Sequence, residues 1–331
     1  MKRIALIAAA LALVVVVLGA YVRLSDAGLG CPDWPGCYGR LTVPTATTAV
    51  TVANQEYPHR PVEAHKAWKE MIHRYAAGTL GLLVLALWIA AVRQRRESGH
   101  LLILATILAG VIVFQAMLGM WTVTLQLKPV VVMGHLLGGF TTLALLWWLT
   151  LSTRAEKHSS GFKIDGVILA TLVGLLILVL QIALGGWTSS NYAAMACPDF
   201  PRCQTQWLPP MDFREGFVLW RGLGVNYEFG VLESPARTAI HFTHRIGALI
   251  TALYLSGFSI WLLLRSRNAA VRNMAGVVLT LLCVQVGLGI SNVVFKLPLP
   301  VAVAHNAGAA LLLLSLLATL FVLIRSRQAE A

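Results

Sequence analysis

Residues 101–124 read LLILATILAGVIVFQAMLGMWTVT, an apolar run without a charged residue. A helix that crosses the hydrocarbon core of a bilayer needs about 20 such residues. Comparable runs occupy roughly 4–23, 70–92, 130–152, 164–189, 240–264, 270–294 and 300–324. The sequence therefore predicts an all-α membrane protein with eight transmembrane helices.

The composition supports a lipid environment. Of 331 residues, 57% are hydrophobic and 12% are charged, whereas a soluble domain has about 25% charged residues. The net charge of +12 raises nucleic-acid binding as an alternative. The cations, however, cluster in short segments between apolar runs, which is typical of residues that flank membrane helices. We therefore expect a lipid bilayer as a partner, and no nucleic acid.

The short loops predict the orientation. One set is rich in cations, and two short loops of the other set have one cation each, Lys128 and Lys296. By the positive-inside rule, both termini are cytoplasmic and the long loops, about 24–69 and 190–239, face outward. The first run resembles a signal peptide, but its counterpart at 164–189 indicates a retained helix. The cation-rich set contains Lys2, Arg3, Arg93, Arg95, Arg96, Arg154, Lys157, Lys163, Arg265, Arg267, Arg272, Arg325 and Arg327.

An internal repeat organises the chain. Four segments recur in the same order at nearly constant spacing, which indicates two related halves, 1–155 and 156–331. Each half has four helices, so the repeat is parallel, about an axis along the membrane normal. The matches are Cys31-Pro-Asp-Trp-Pro-Gly-Cys37 with Cys197-Pro-Asp-Phe-Pro-Arg-Cys203, Met71-Ile-His73-Arg74 with Phe242-Thr-His244-Arg245, Gln115-Ala-Met-Leu-Gly119 with Gln285-Val-Gly-Leu-Gly289, and His135 with His305.

Five of the nine histidines lie at or just inside the outer ends of helices 2, 4, 6 and 8, namely His73, His135, His241, His244 and His305. We place Pro61 and Pro235 in first helical turns, with Ser234 as an N-cap. The four repeat-matched histidines then reach a similar depth, at about 1.5 Å per residue. An intramembrane imidazole is costly unless it has a partner. Interhelical hydrogen bonds are one explanation, but two cofactor sites, one per half, explain four matched histidines better.

Two imidazoles on facing helices, without an acidic cluster, suit haem iron, whereas zinc requires three or four ligands. Arg74 and Arg245 each follow a histidine and are candidates to pair with haem propionates; snorkelling to lipid headgroups is the alternative. Small residues near the ligands allow a flat macrocycle to approach, although they also serve plain helix packing. These are Gly78, Gly138, Gly139, Gly247, Ala307 and Gly308.

The two halves differ at one position. Glu70 lies three residues before His73, and His241 lies three residues before His244. Such positions share a helix face, so we expect both side chains to face the cofactor. A carboxylate in one half and an imidazole in the other suggest chemistry at one site and electron storage at the other. The alternative is that Glu70 is an interfacial acid beside Arg74.

The chain has five cysteines. An oxidising outer side permits a disulfide within each matched pair, and structural and redox-active roles both stay open. A four-cysteine zinc site between the halves is a third alternative. Cys283 lies inside an apolar run and is predicted to be a small packed core residue.

The chain resembles the haem A synthase family of bacterial and mitochondrial inner membranes over nearly its whole length. The resemblance lies in eight helices in two parallel halves, Glu70-Met-Ile-His73-Arg74, Thr243-His244-Arg245, His135, His305 and the cysteine pairs of the long loops. It implies oxidation of the C8 methyl of haem O to the formyl group of haem A by successive hydroxylation, in support of cytochrome oxidase assembly.

The resemblance also implies a site. Substrate haem O would lie between His73 and His135 with Glu70 as the catalytic carboxylate, and a haem b cofactor would lie between His244 and His305. Disulfides Cys31–Cys37 and Cys197–Cys203 would lie on the periplasmic side of the cell inner membrane. Candidate partners are a haem O synthase, cytochrome oxidase assembly factors and a membrane electron acceptor, and the oligomeric state, including a homo-oligomer, stays open. His65, His241 and the loop 190–239 receive no role.

Three other functions compete with this interpretation. A bis-histidine membrane cytochrome would exchange electrons with quinone or outside partners, but it needs cofactors near both faces. A transporter predicts polar residues and broken helices near the midplane, where this sequence has few charges. A thiol–disulfide oxidoreductase would leave the histidines unexplained.

Overall fold

The computed structural model describes residues 1–95, 99–153 and 164–330, and the elements within these ranges are helices. Eight of the helices are long and apolar enough to cross a membrane, as the sequence predicted. They are α1 (Lys2–Leu24), α3 (Ala64–Arg93), α4 (Gly99–Thr124), α5 (Pro129–Ser152), α6 (Gly166–Ser190), α8 (Ser234–Arg265), α9 (Ala269–Val294) and α10 (Leu299–Glu330). Two short helices, α2 (Thr47–Glu56) and α7 (Phe213–Gly216), lie in the long loops. Arg96, Arg154, Lys157, His158 and Lys163 are outside the described residues.

Helices α3 and α8 begin about six residues earlier than their apolar runs, because a helix continues through polar residues once it leaves the bilayer. Pro235 lies in the first turn of α8 as expected, but Glu233 rather than Ser234 is the N-cap. The expectation for Pro61 was wrong, because the N-cap of α3 is Glu63 and the proline precedes the helix. Asp165 caps α6 by accepting hydrogen bonds from the first free backbone N–H groups.

The long helices pack in two sets. Helix α1 contacts α3 and α5, and α4 contacts the same two helices; likewise α6 and α9 each contact α8 and α10. The sets meet where α1 and α5 pack against α10 and α6. Buried alanines on α1 allow close approach of its neighbours, and leucines from α5 and α10 fill the centre. These residues include Ala5, Ala8, Ala12, Leu143, Leu146, Leu312 and Leu316.

Cys283 corrects one expectation. Its side chain is exposed on α9 rather than packed in the core. Lipid tails are as apolar as a leucine side chain, so an apolar run does not distinguish the face of a helix that meets lipid from the face that meets protein.

The second long loop (residues 191–233) crosses from the second set of helices onto the first. The backbone N–H of Tyr227 donates to Gln126 O at 3.1 Å, at the turn between α4 and α5. Lys128, which is 2% exposed, donates to Gly222 O and lies 3.4 Å from the ring centre of Trp220. A small core of Leu29, Val123, Leu127 and Tyr227 forms beneath this segment.

Two further contacts join the two sets, one between their loops and one at the ends of α1 and α6. Arg60 in the first long loop (residues 25–63) binds Glu228 through both guanidinium Nη atoms, at 3.1 and 2.8 Å. Arg23, at the end of α1, donates to Ser189 O at 2.7 Å and stacks on Tyr192 at 4.0 Å. The second long loop, to which the sequence analysis assigned no role, therefore holds one helix set to the other.

Candidate functional site

His73 of α3 and His135 of α5 face each other. Their ring centres are 6.4 Å apart and their planes are at 87°. A metal–nitrogen bond of about 2 Å on each side puts two imidazole centres roughly 6 Å apart, so the spacing fits one iron atom. Within the described ranges, no side chain bonds either Nδ1 atom. The backbones of Val15 and Gln115 lie within hydrogen-bonding reach of His73 and His135, so interhelical hydrogen bonds are present, and the spacing of the two rings also fits haem ligation.

The second pair is His244 of α8 and His305 of α10. His244 lies within electrostatic range of both His305 and His241. Its Nδ1 is 3.0 Å from Gln181 Nε2, and His305 Nε2 is 3.5 Å from Gln285 Nε2. Both rings are partly buried, like those of the first pair. The sequence-predicted ligands thus come together as two pairs of imidazoles, one in each set of helices.

A glycine on an adjacent helix lies behind each of the four imidazoles. A Cβ on these glycines would come within 3.1 to 3.3 Å of the histidine Cε1, closer than an ordinary carbon contact of about 3.5–4.0 Å. The ring fits only because a hydrogen atom stands where a side chain would be. The pairs are Gly19 with His73, Gly119 with His135, Gly185 with His244, and Gly289 with His305.

The glycines that the sequence analysis proposed for the approach of a macrocycle do not lie behind the imidazoles. Gly138, Gly247 and Gly308 lie against the side-chain amides of Gln115, Gln181 and Gln285, and Gly78 has no other group within 4 Å of where its Cβ would stand. Sequence reasoning missed Gly19 and Gly185. The recurring Gln-x-x-Leu-Gly pattern on α4, α6 and α9 was the signal that could have found Gly185.

The first disulfide, Cys31–Cys37, lies against α3. The Cys31 N–H donates to Glu70 Oε2 at 3.0 Å, and Arg74 Nη2 donates to Glu70 Oε1 at 2.5 Å. Arg74 Nη1 also donates to Asp33 O at 2.9 Å and to Gly36 O. Glu70 is 5% exposed. The ion pair with Arg74 that was the alternative for Glu70 is therefore present, and it fastens the disulfide loop to the helix one turn from His73.

The second disulfide, Cys197–Cys203, repeats this arrangement with different chemistry. The buried His241 accepts from Arg245 Nε at 3.2 Å through Nε2, so its Nδ1 carries the proton and donates to Ala193 O at 3.1 Å, with Cys197 N 3.3 Å away. Arg245 also donates to Cys197 O and Asp199 O, each at 2.8 Å. His241, without a role in the sequence analysis, thus holds the loop as Glu70 does. In both halves the arginine donates to loop carbonyls, and its pairing with propionates stays a prediction.

Tyr38 completes the first loop. It is 3% exposed, its hydroxyl donates to Pro61 O at 3.2 Å, and its N–H donates to Asp33 Oδ1 at 2.6 Å. Burial raises the pKa of Tyr38 to about 12, because the charged phenolate would lose its hydration. The loop therefore remains neutral at this position at physiological pH.

Three other described histidines, His59, His65 and His100, are exposed. In residues 1–95, 99–153 and 164–330, no three His, Cys, Asp or Glu side chains come together as a site for a bare metal ion. The histidines meet in twos, and two imidazoles would be enough to hold one haem iron.

Eight apolar helices with two pairs of intramembrane histidines are typical of a membrane haem protein. The family model of cytochrome oxidase assembly proteins, COX15-CtaA, matches residues 2–317. The chain belongs to this family, that of the haem A synthases.

Individual relatives give the same result. The heme A synthase of Shewanella oneidensis is 48% identical over 308 residues, which cover 92% of this chain and 91% of that protein. The heme A synthase of Rhizorhabdus wittichii is 27% identical over 94% of this chain and 90% of its own length. The heme A synthase of Halalkalibacterium halodurans is 26% identical over 95% of this chain and 94% of its own length. The similarity therefore spans both sets of helices.

Proposed function

We propose that this protein is a haem A synthase, an oxidoreductase that converts the C8 methyl of haem O to the formyl group of haem A by successive hydroxylation. The product supports the assembly of cytochrome oxidase. The observation that carries the proposal is the His73–His135 pair, with ring centres 6.4 Å apart, next to the buried carboxylate of Glu70. The 48% identity to a heme A synthase supports the reaction.

The proposed architecture has two four-helix halves, 1–155 and 156–331, related as a parallel repeat. The packing of α1, α3, α4 and α5 in one set and of α6, α8, α9 and α10 in the other supports it. We place both termini in the cytoplasm and the disulfide loops in the periplasm of a cell with an inner membrane. The cation clusters on the opposite loops and the oxidised cysteine pairs support this orientation.

The two histidine pairs receive different roles. We assign haem O, the substrate, to His73 and His135, and a resident haem b to His244 and His305. Haem b supplies one-electron storage when bound. The difference between Glu70 in the first half and His241 in the second supports this division, because only the first half has a carboxylate at that position.

Glu70 is the proposed proton acceptor. It lies on the same helix face as His73, one turn away, and oxidation of a methyl carbon releases protons that need a base. Arg74 and the Cys31 N–H hold one carboxylate oxygen each, which fixes the direction of the group. The disulfide loop above it excludes water. We propose that Arg74 and Arg245 position these loops and meet the propionates at the same edge.

Mass analysis of extracted haems tests the function. Cells that produce haem O should accumulate haem A only when this protein is present, and a bis-histidine cytochrome would leave haem O unchanged. E70Q should stop haem A formation while the purified protein keeps both disulfides. The matched control is E63Q on an exposed residue at the start of the same helix, which should keep activity. Full haem A formation by E70Q would remove the catalytic role.

The ligand assignment has a separate test. H244A or H305A should lose the low-spin haem b absorption while the protein remains monodisperse in detergent. An unchanged spectrum in both variants would reassign the ligands.

A further inference from the structure

Three of the four site histidines each have a neighbouring glutamine that has no role in the proposed reaction. Gln115 on α4, Gln181 on α6 and Gln285 on α9 each lie four residues before the glycine that contacts an imidazole. Residues at this spacing share a helix face. Each of these helices therefore presents an amide and a bare glycine to the same histidine, one turn apart.

The amides reach the histidines directly. Gln115 Nε2 donates to His135 O at 3.0 Å. Gln181 Nε2 is 3.0 Å from both O and Nδ1 of His244. Gln285 Nε2 is 3.5 Å from an imidazole nitrogen, Nε2, of His305. All three glutamines therefore contact the residue that we assign as an iron ligand.

A glycine on the histidine's own helix makes room for each amide. Gly138, Gly247 and Gly308 lie three residues after their histidines, and a Cβ on any of them would collide with the glutamine amide. The glutamine and this glycine thus form a matched pair, one on each helix.

His73 is the exception, and both members of the pair change together. Val15 lies four residues before Gly19, where the other helices have glutamine. Ala76 lies three residues after His73, where the other histidines have glycine. Within the described ranges, the His73 ring lies against the backbone of Val15, and no glutamine side chain bonds it. The amide has been replaced by an apolar side chain, and the space that it needed has been filled by a methyl group.

We propose that Gln115, Gln181 and Gln285 are positioning residues for His135, His244 and His305, and that Val15 and Ala76 make His73 the exchangeable ligand. The inference rests on the proposed function, which assigns these histidines to haem iron. A second hydrogen-bond partner fixes the orientation of a ligating imidazole and raises its basicity. A resident cofactor requires that support on both sides, whereas a substrate that must leave as product requires one bond that breaks readily.

The chemistry of the amide supports this role. An imidazole that binds iron through Nε2 carries its proton on Nδ1 and needs an acceptor there. In the described residues, Oε1 of all three glutamines is buried without a hydrogen-bond partner. Rotation of the Gln181 amide would bring Oε1 to His244 Nδ1 but would also replace the hydrogen bond to His244 O, so Gln181 supplies the acceptor only if its side chain also moves away from that carbonyl.

An exchange of the two arrangements tests the proposal. Q181V/G247A copies the His73 surroundings onto His244, and V15Q/A76G copies the His244 surroundings onto His73. Each pair is made in full-length protein, the first in an H73A background and the second in an H244A background, so that one site is measured at a time. Haem loss from detergent-purified protein is followed by transfer to excess apomyoglobin.

The first exchange should speed haem loss by roughly 10- to 100-fold, and the second should slow it. Wild-type rates in both exchanges would overturn the proposal. If H244A itself retains a low-spin haem in the second half, the ligand assignment fails instead. Loss of haem in H244A together with wild-type rates in Q181V/G247A would refute the glutamine role alone.

Q181E gives an independent readout if Q181V/G247A does not fold. The carboxylate keeps the shape and is a stronger acceptor, so the imidazole becomes more basic and stabilises ferric iron. The midpoint potential of the bound haem should therefore fall relative to the wild type. A potential equal to that of the wild type would contradict the proposed contact between residue 181 and His244.

Discussion

The glycine behind His305 gives the sharpest test of the site geometry. A Cβ at position 289 would lie 3.1 Å from His305 Cε1, and ordinary carbon contacts need about 3.5–4.0 Å. Gly289→Ala therefore requires the ring to move by about 0.4–0.9 Å. Metal–ligand distances tolerate only about 0.2 Å. The ring cannot make this shift and keep its bond to iron.

We expect Gly289→Ala to lose haem from the second pair. The haem occupancy of this site should fall to about one tenth of the wild-type value or below. Gly287→Ala on the same helix is the matched control, because its Cβ would meet no other group within 4 Å. Both changes raise helix propensity by about 0.5–1 kcal/mol, so a general effect on α9 appears equally in both variants.

The assay is the haem-to-protein ratio and the low-spin absorption spectrum of each purified variant. A Gly289→Ala protein with the wild-type ratio and spectrum would show that the glycine contact does not restrict His305. Equal haem loss in both variants would attribute the effect to α9 as a whole and refute the geometric argument.

Three further predictions concern stability. Glu228→Gln removes the paired hydrogen bonds to Arg60 across the two loops, and it should lower the free energy of unfolding by about 1 kcal/mol, measured by thermal unfolding in detergent. Asp165→Ala removes the cap of α6 and should cost about 1 kcal/mol. Hydrogen bonding to the first turn lowers the pKa of Asp165. The stability difference between the wild type and Asp165→Ala is therefore present above about pH 4 and is lost as pH falls through the folded-state pKa of Asp165. Tyr38, with its pKa raised to about 12, stabilises the first loop fully below about pH 10, and this contribution is lost as pH rises toward 12; Tyr38→Phe should remove this alkaline loss.

For each of these three stability predictions, one result would contradict the reasoning. An unchanged unfolding temperature in Glu228→Gln would mean that the loops are held together without this ion pair. A difference between Asp165→Ala and the wild type that persists at low pH would exclude the ionised cap as its source. The alkaline loss, if it survived in Tyr38→Phe, would belong to another group.

The membrane helices and the histidine pairs could be predicted from the sequence because each depends on a local or repeated pattern. Length and hydropathy determine a membrane helix, and the repeat aligned His73 with His244 and His135 with His305. The starts of α3 and α8 could not be predicted from apolar runs, since polar residues continue both helices. Cys283 was misplaced for a similar reason, because composition does not separate a face in lipid from a face in protein.

The partners of Glu70 and His241 were only partly predictable. Their position on the histidine face follows from helix periodicity, and so does the closeness of Glu70 to Arg74. The contact of each with a cysteine N–H depends on how an irregular loop folds back, which no periodicity encodes. The same holds for Tyr227 and Lys128, whose loop contacts join segments far apart in the chain.

The crossing of residues 191–233 onto the α4–α5 turn has a consequence for any attempt to divide the protein. An N-terminal fragment ending before residue 164 would leave Leu29, Val123 and Leu127 bare to water, because Tyr227 supplies their cover. It would also leave Lys128 without its carbonyl acceptor and its aromatic neighbour. Fragments produced separately must therefore find each other in the aqueous layer as well as in the bilayer, and a gene split at this point would give two incomplete proteins rather than two small enzymes.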